Sequence, residues 1–116
     1  MVSSAIYTQI DATTQAVFSP VVLTDLLRGQ LKFAGPIITD DVGNAKAVQA
    51  LPAGDRAVRF LAAGGTLVLT VNASLVPGMV DAVLARSAGD PAFAAHVDAA
   101  LHTALLAKAE AGLLDR

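Results

Sequence analysis

The chain contains no cysteine, so disulfides, thiolate zinc sites and cysteine nucleophiles are excluded at the outset. Charge is scarce, with 16% Asp, Glu, Lys and Arg and a formal net charge of −2. Nucleic acid and anionic membrane surfaces demand clustered Lys and Arg, and no such cluster is present, so neither is an expected partner. Met1 to Ile10 lacks a basic stretch followed by a long apolar run, so no signal peptide is expected. No charge falls between Arg59 and Asp81, but Gly64, Gly65, Asn72, Ser74, Pro77 and Gly78 punctuate that stretch, so no membrane span is expected. Nothing here fixes a compartment.

What remains is 116 residues, 54% of them apolar. That suits one modest α/β domain, or part of something with a larger interior. Short apolar runs at Val2–Tyr7, Pro36–Thr39 and Thr66–Val71 read as strands, the last two unbroken enough for parallel strands covered on both faces. Helices follow each run. Ser19-Pro20 starts one with Leu23, Leu26 and Leu27 inward. Residues 45–50 form a short helix, and a second piece after Pro52 runs to Ala63, stopped by Gly64-Gly65. Pro77 opens a third with Val80, Val83 and Leu84 inward. Asp90-Pro91 opens the last, with Phe93, Val97, Leu101 and Leu105 as its stripe and Gly112 as its stop. The order β-α-β-α-β-α-α implies a parallel sheet with right-handed crossovers. Three parallel strands leave two open edges, and at about 40 residues per unit the chain is about three of the eight units of a (β/α)8 TIM barrel.

The chemistry-bearing stretch is Gly35–Gly43, GPIITDDVG, a buried strand that ends in Thr39-Asp40-Asp41. In parallel α/β folds, ligands and catalytic groups gather at the carboxyl ends of strands. A strand-end aspartate is equally at home as a helix cap or loop carboxylate. Successive strand residues face opposite ways, so Asp40 and Asp41 are not an acid/base dyad. His96 and His102 lie six apart on one helix, not at the i, i+4 spacing of a zinc pair, so no metal or cofactor is expected. Lys46 reads as a surface residue.

Residues Phe18–Val48, FSPVVLTDLLRGQLKFAGPIITDDVGNAKAV, resemble the signature region of family 3 glycoside hydrolases: a Ser-Pro helix start, a Leu-Leu-Arg-Gly turn and a Phe-x-Gly strand ending in Ser/Thr-Asp. MVSSAIYTQID resembles the preceding barrel strand, AVRFLAAGGTLVLTV the following helix and strand, and HVDAALHTALLAKAEAGLL the helix that closes the domain. On this resemblance, residues 1–116 are the C-terminal part of the family's N-terminal TIM-barrel domain. The resemblance is nearest to the β-N-acetylglucosaminidase branch, whose bacterial members recycle or remodel peptidoglycan. It implies a carbohydrate substrate and retaining hydrolysis with Asp40 as nucleophile. Ser4, Asp41 and Asn44 are the further candidates, placed by it near the substrate.

The general acid of that branch, a histidine on an earlier loop, has no counterpart in this chain. Ser4 stands where the family commonly has His, Asn44 where it has Met and Thr66 where it has Asp. Met1 aligns inside a barrel strand, so the chain is expected to be a fragment, inactive alone, whose partner is the missing part of the barrel or a second copy. Two other readings compete. A non-catalytic module would assemble through its open sheet edges. A phosphoacceptor domain, with Mg²⁺ on strand-end carboxylates, would need acidic and lysine positions that are missing.

Overall fold

The computed structural model describes residues 1–115. At its centre two parallel strands, β1 (Ile38–Asp41) and β2 (Leu67–Leu69), lie side by side. Val2 forms a parallel bridge to Thr39 on the other side of β1. The Val2 amide donates to Ile38 O at 2.8 Å, and the Asp40 amide to Val2 O at 3.0 Å. The three segments therefore order Val2, β1, β2, as the pattern requires. The first strand is much shorter than expected. The carbonyls of Ser3 and Ala5 are claimed by the amides of Val17 and Ala16, which pulls the chain off the sheet after the bridge. β1 also starts later than Pro36 and takes both aspartates into its carboxyl end.

The helix starts and stops follow local chemistry. Ser19 Oγ accepts the Val22 amide at 3.2 Å, ahead of a π-type helix over Val21–Gln30 that closes with Leu31 N–H on Leu26 O. Leu23 is fully buried on it, with Leu26 and Leu27 half-buried. The short helix expected over 45–50 is only a 3₁₀ turn, Lys46–Val48. α1 (Ala53–Ala62) follows Pro52. It ends as Gly64 adopts φ +106 and the Gly64 and Gly65 amides turn back onto Leu61 and Phe60 carbonyls. α2 covers Val76–Gly89 and α3 Pro91–Glu110, the latter capped by Asp90 Oδ1 accepting the Phe93 amide at 3.1 Å.

Phe60, Leu23, Val17 and Val42 centre the core, packed with Ile37, Val48 and Ala57. Two helix faces differ from expectation. On α3 the buried residues are Phe93, Ala100 and Ala104, with Val97 half-buried, whereas Leu101 and Leu105 are 56% and 42% exposed. A strict four-residue step drifts about 40° per step, so Leu105 has turned about 120° from Phe93, while positions 93, 97, 100 and 104 stay within about 60°. On α2, Met79 is buried and Val83 half-buried, but Val80 and Leu84 are exposed at the lip of an open apolar cleft. No helix among the described residues is long and apolar enough to cross a membrane.

Candidate active site

The site grows out of an irregularity in β1. Ile38 pairs with Leu67 and Asp41 with Leu69, so three steps along β1 match two along β2. This is a bulge at Thr39-Asp40, a feature that re-aims side chains beside active sites. Thr39, fully buried, fills the gap in the ladder: its Oγ1 accepts the Leu69 amide at 2.8 Å. A hydroxyl-bearing residue before the aspartate thus has a structural task, supplying the acceptor that the bulge removes.

Beyond the bulge the two carboxylates part. Asp40 turns toward the first segment, where the Ser4 amide donates to Oδ2 at 3.0 Å and the Ser4 hydroxyl lies 2.8 and 2.9 Å from Oδ1 and Oδ2. Ser4 is only 8% exposed and Asp40 is half-buried. Asp41 turns toward the third segment, its Oδ1 accepting the amides of Gly43 and Val71, each at 3.1 Å. The aspartates therefore do separate jobs at one sheet edge. Asp40 is held with carboxylate oxygens presented at the strand end; Asp41 ties the turn after β1 to the end of β2. Asn44 is exposed in that turn, and its side chain makes no hydrogen bond among the described residues.

The turn is fixed from below by a residue that the sequence pattern did not bring forward. Arg56, 6% exposed, donates through Nη1 to the carbonyls of Val42 at 2.9 Å and Gly43 at 3.1 Å, and through Nε to Leu51 O at 2.8 Å. The available signal was its position: with Ala57, Phe60 and Leu61 it lies on the buried face of α1, where a cation needs a dedicated set of acceptors. Gly43 is required by packing, since a Cβ there would sit 2.1 Å from Thr70 Oγ1.

Other candidates lie elsewhere. His96 and His102 are exposed on α3 and bond to neither Asp40 nor Ser4, and Lys46 is exposed. Among the described residues no group of three acidic or histidine side chains is placed to hold a metal. The apolar cleft of about 300 Å³ between α1, β2 and α2 does not have Asp40 in its wall. Nor does the cleft of about 360 Å³ beside Val2, Tyr7 and Phe33. A single carboxylate with an ordering hydroxyl and amide can act as a nucleophile or electrostatic stabiliser. It cannot by itself also supply the proton that a leaving group needs.

Residues 1–103 match the model of the glycosyl hydrolase family 3 N-terminal domain. A β-hexosaminidase of Stenotrophomonas maltophilia is 38% identical over 87 residues, which cover 75% of this chain and 26% of that protein. Another from Chromobacterium violaceum is 40% identical over 91 residues, covering 78% and 24%. The chain thus spans about a quarter of the length of these relatives. Among solved structures, a β-N-acetylhexosaminidase from Beutenbergia cavernae superposes with a TM-score of 0.89 at 44% identity, over 92% of this chain and 32% of that one. CbsA from Thermotoga neapolitana shares the fold, with a TM-score of 0.80 at 22% identity over 98% of this chain and 26% of its own. With its parallel βα units, its bulged strand end and this match over most of its length, the chain belongs to the glycosyl hydrolase family 3 N-terminal domain family.

Proposed function

We propose that this chain is the C-terminal part of a family 3 N-terminal barrel domain and carries the nucleophile of a retaining glycoside hydrolase, of the β-N-acetylhexosaminidase or β-glucosidase type. The observation that carries the reading is Asp40, held at the carboxyl end of β1 by the Ser4 amide and hydroxyl, in a chain whose relatives are named β-hexosaminidases. In this reading an Asp40 carboxylate oxygen attacks the anomeric carbon as the bond to the leaving oxygen breaks, giving a glycosyl ester. A general acid outside these residues protonates the leaving oxygen. Water then attacks the same carbon, which releases the sugar and restores the carboxylate. Ser4 positions Asp40, Asp41 and Arg56 fix the loop beside it, and Asn44 is the exposed residue available to a sugar.

The rest of the barrel supplies the acid and most of the sugar pocket, so the 116 residues alone turn over no glycoside. Incubation with a fluorogenic aryl N-acetylglucosaminide tests this. Release of the fluorophore that Asp40→Asn abolishes would show a complete site within the chain. For the role of Asp40, the corresponding segment of the Beutenbergia cavernae enzyme is replaced by this chain. Hydrolysis by that chimera is expected to fall by a factor of about 10³ or more on Asp40→Asn. A fall under tenfold would remove Asp40 from the chemistry.

A further inference from the structure

At the amino-terminal end of β2, away from the aspartates, lies a second polar site that the glycosidase reading does not use. Arg28, in the last turn of the π-type helix, donates through Nη1 to the carbonyls of Phe33 at 2.8 Å and Gly35 at 2.6 Å, and through Nη2 to Thr66 Oγ1 at 3.3 Å. The Phe33 ring lies against it, 5.7 Å from the guanidinium carbon to the ring centroid. Thr66 is 7% exposed and its hydroxyl also accepts the Ile37 amide at 3.1 Å. The guanidinium is thus immobilised by two carbonyls, a hydroxyl and an aromatic face before any ligand arrives.

A guanidinium has five N–H donors. Three are engaged here, which leaves Nε–H and one Nη2–H without a protein acceptor among the described residues. These nitrogens lie along one edge of the plane, the arrangement that grips an oxyanion with two oxygens. Arg28 forms no ion pair among the described residues. It opens onto a cleft of about 90 Å³ shared with Gly65, Thr66, His96 and Thr103, and no carboxylate lines it. That volume is several times what one water needs. Partial burial pushes the guanidinium below its ordinary pKa, the direction expected of a cation lacking a counter-charge.

We propose that the Arg28–Thr66 cleft binds one small oxyanion, a carboxylate or phosphate, on the free edge of the guanidinium with His96 at its mouth. This site is independent of the Asp40 reading, because it sits at the opposite end of the strands and its test involves no sugar. The experiment is an NMR titration of the ¹⁵N-labelled chain with inorganic phosphate and, separately, sodium acetate, each exchanged against chloride at constant ionic strength.

Saturable shifts of the Arg28 Nε–H and of the Thr66 and His96 amides are expected, with Kd about 1–10 mM for so small a ligand. The order of the two affinities identifies the oxyanion preferred. Thr66→Asp places an internal carboxylate against Arg28 and is expected to weaken both titrations at least tenfold. His96→Gln, at an exposed position, should weaken them two- to threefold. Shifts that stay linear in anion concentration, or an unchanged Kd in both Thr66→Asp and His96→Gln, would overturn the proposal.

Discussion

Arg56→Met tests whether the turn after the aspartates is held from beneath. The buried guanidinium makes three bonds to carbonyls, at 2.8, 2.9 and 3.1 Å, and its charge is balanced by no carboxylate among the described residues. Methionine is similar in length and apolar, so the perturbation is loss of the donors rather than creation of a large void. Gly43 O keeps Gln49 Nε2 at 3.1 Å. Val42 O loses its Arg56 bond inside the core, where Val42 is fully buried; leaving one such acceptor unpaired costs about 1–3 kcal/mol. Leu51 is only half-buried, so its carbonyl is expected to recover part of its loss from water.

Hydrogen bonds from a charged donor are each worth about 1.5–3 kcal/mol, and removing the charge returns some desolvation. The net expectation is a loss of about 2–4 kcal/mol, or roughly 10–20 °C in Tm for a domain near this size. Urea and thermal melts by circular dichroism measure it. Arg56→Lys, which keeps the charge but not the fork of donors, should lose about half as much. An Arg56→Met chain within about 0.5 kcal/mol of the parent would show that the turn stands without these bonds, and the reasoning would fail.

Three further outcomes follow from the packing and the titrating groups. Ala100→Leu should cost about 1–3 kcal/mol by overpacking the buried side of α3, whereas Leu101→Ser, one residue on, should stay within about 0.5 kcal/mol. Equal effects in urea melts would contradict the helix face described above. Gly43→Ala drives a Cβ to 2.1 Å from Thr70 Oγ1 and should destabilise by about 1–3 kcal/mol, most of it recovered in the double variant with Thr70→Ala; no recovery would place the strain elsewhere.

The third concerns acid. Hydrogen bonds from Ser19 and the Thr13 amide to Asp11, and from the Phe93 amide and Arg86 to Asp90, hold both carboxyls below their ordinary value of 3.8. A folded-state pKa below the unfolded one gives stability that is complete above the unfolded value. It is lost as pH falls from about 4 through the folded values. Urea midpoints should be flat from pH 7 to 5 in this respect and fall below 4. The slope should flatten in the Asp11→Asn, Asp90→Asn double variant, and an unchanged slope would refute the assignment.

Much of this arrangement was legible because local chemistry fixes it. Asp90-Pro91 reads as a helix start and is one; Gly64 and Gly112 read as stops and take φ +106 and +70. The parallel order of three segments follows from apolar runs joined by helices. The separation of Asp40 from Asp41 follows from strand geometry. What escaped depends on partners distant in sequence. The bulge at Thr39-Asp40 appears only once β2 lies alongside, and the shortening of the first strand comes from amides at 16 and 17. Alanine carries too weak an apolar signal to compete with leucine in a pattern, so the α3 face was drawn through Leu101 and Leu105 instead of Ala100 and Ala104. Arg56 escaped because its acceptors, apart from Leu51, are carbonyls 13 and 14 residues away, which no spacing rule reports.

The most direct measurement of the central claim is covalent trapping. A fluorinated N-acetylglucosaminide with a good leaving group is incubated with the chimera carrying this chain in the Beutenbergia cavernae barrel, then digested and mapped by mass spectrometry. One sugar per protein is expected, esterified to the Asp40 side chain and absent in Asp40→Asn. An adduct on Asp41 or on a residue outside residues 1–116, or turnover that persists without any adduct in the Asp40→Asn chimera, would contradict it.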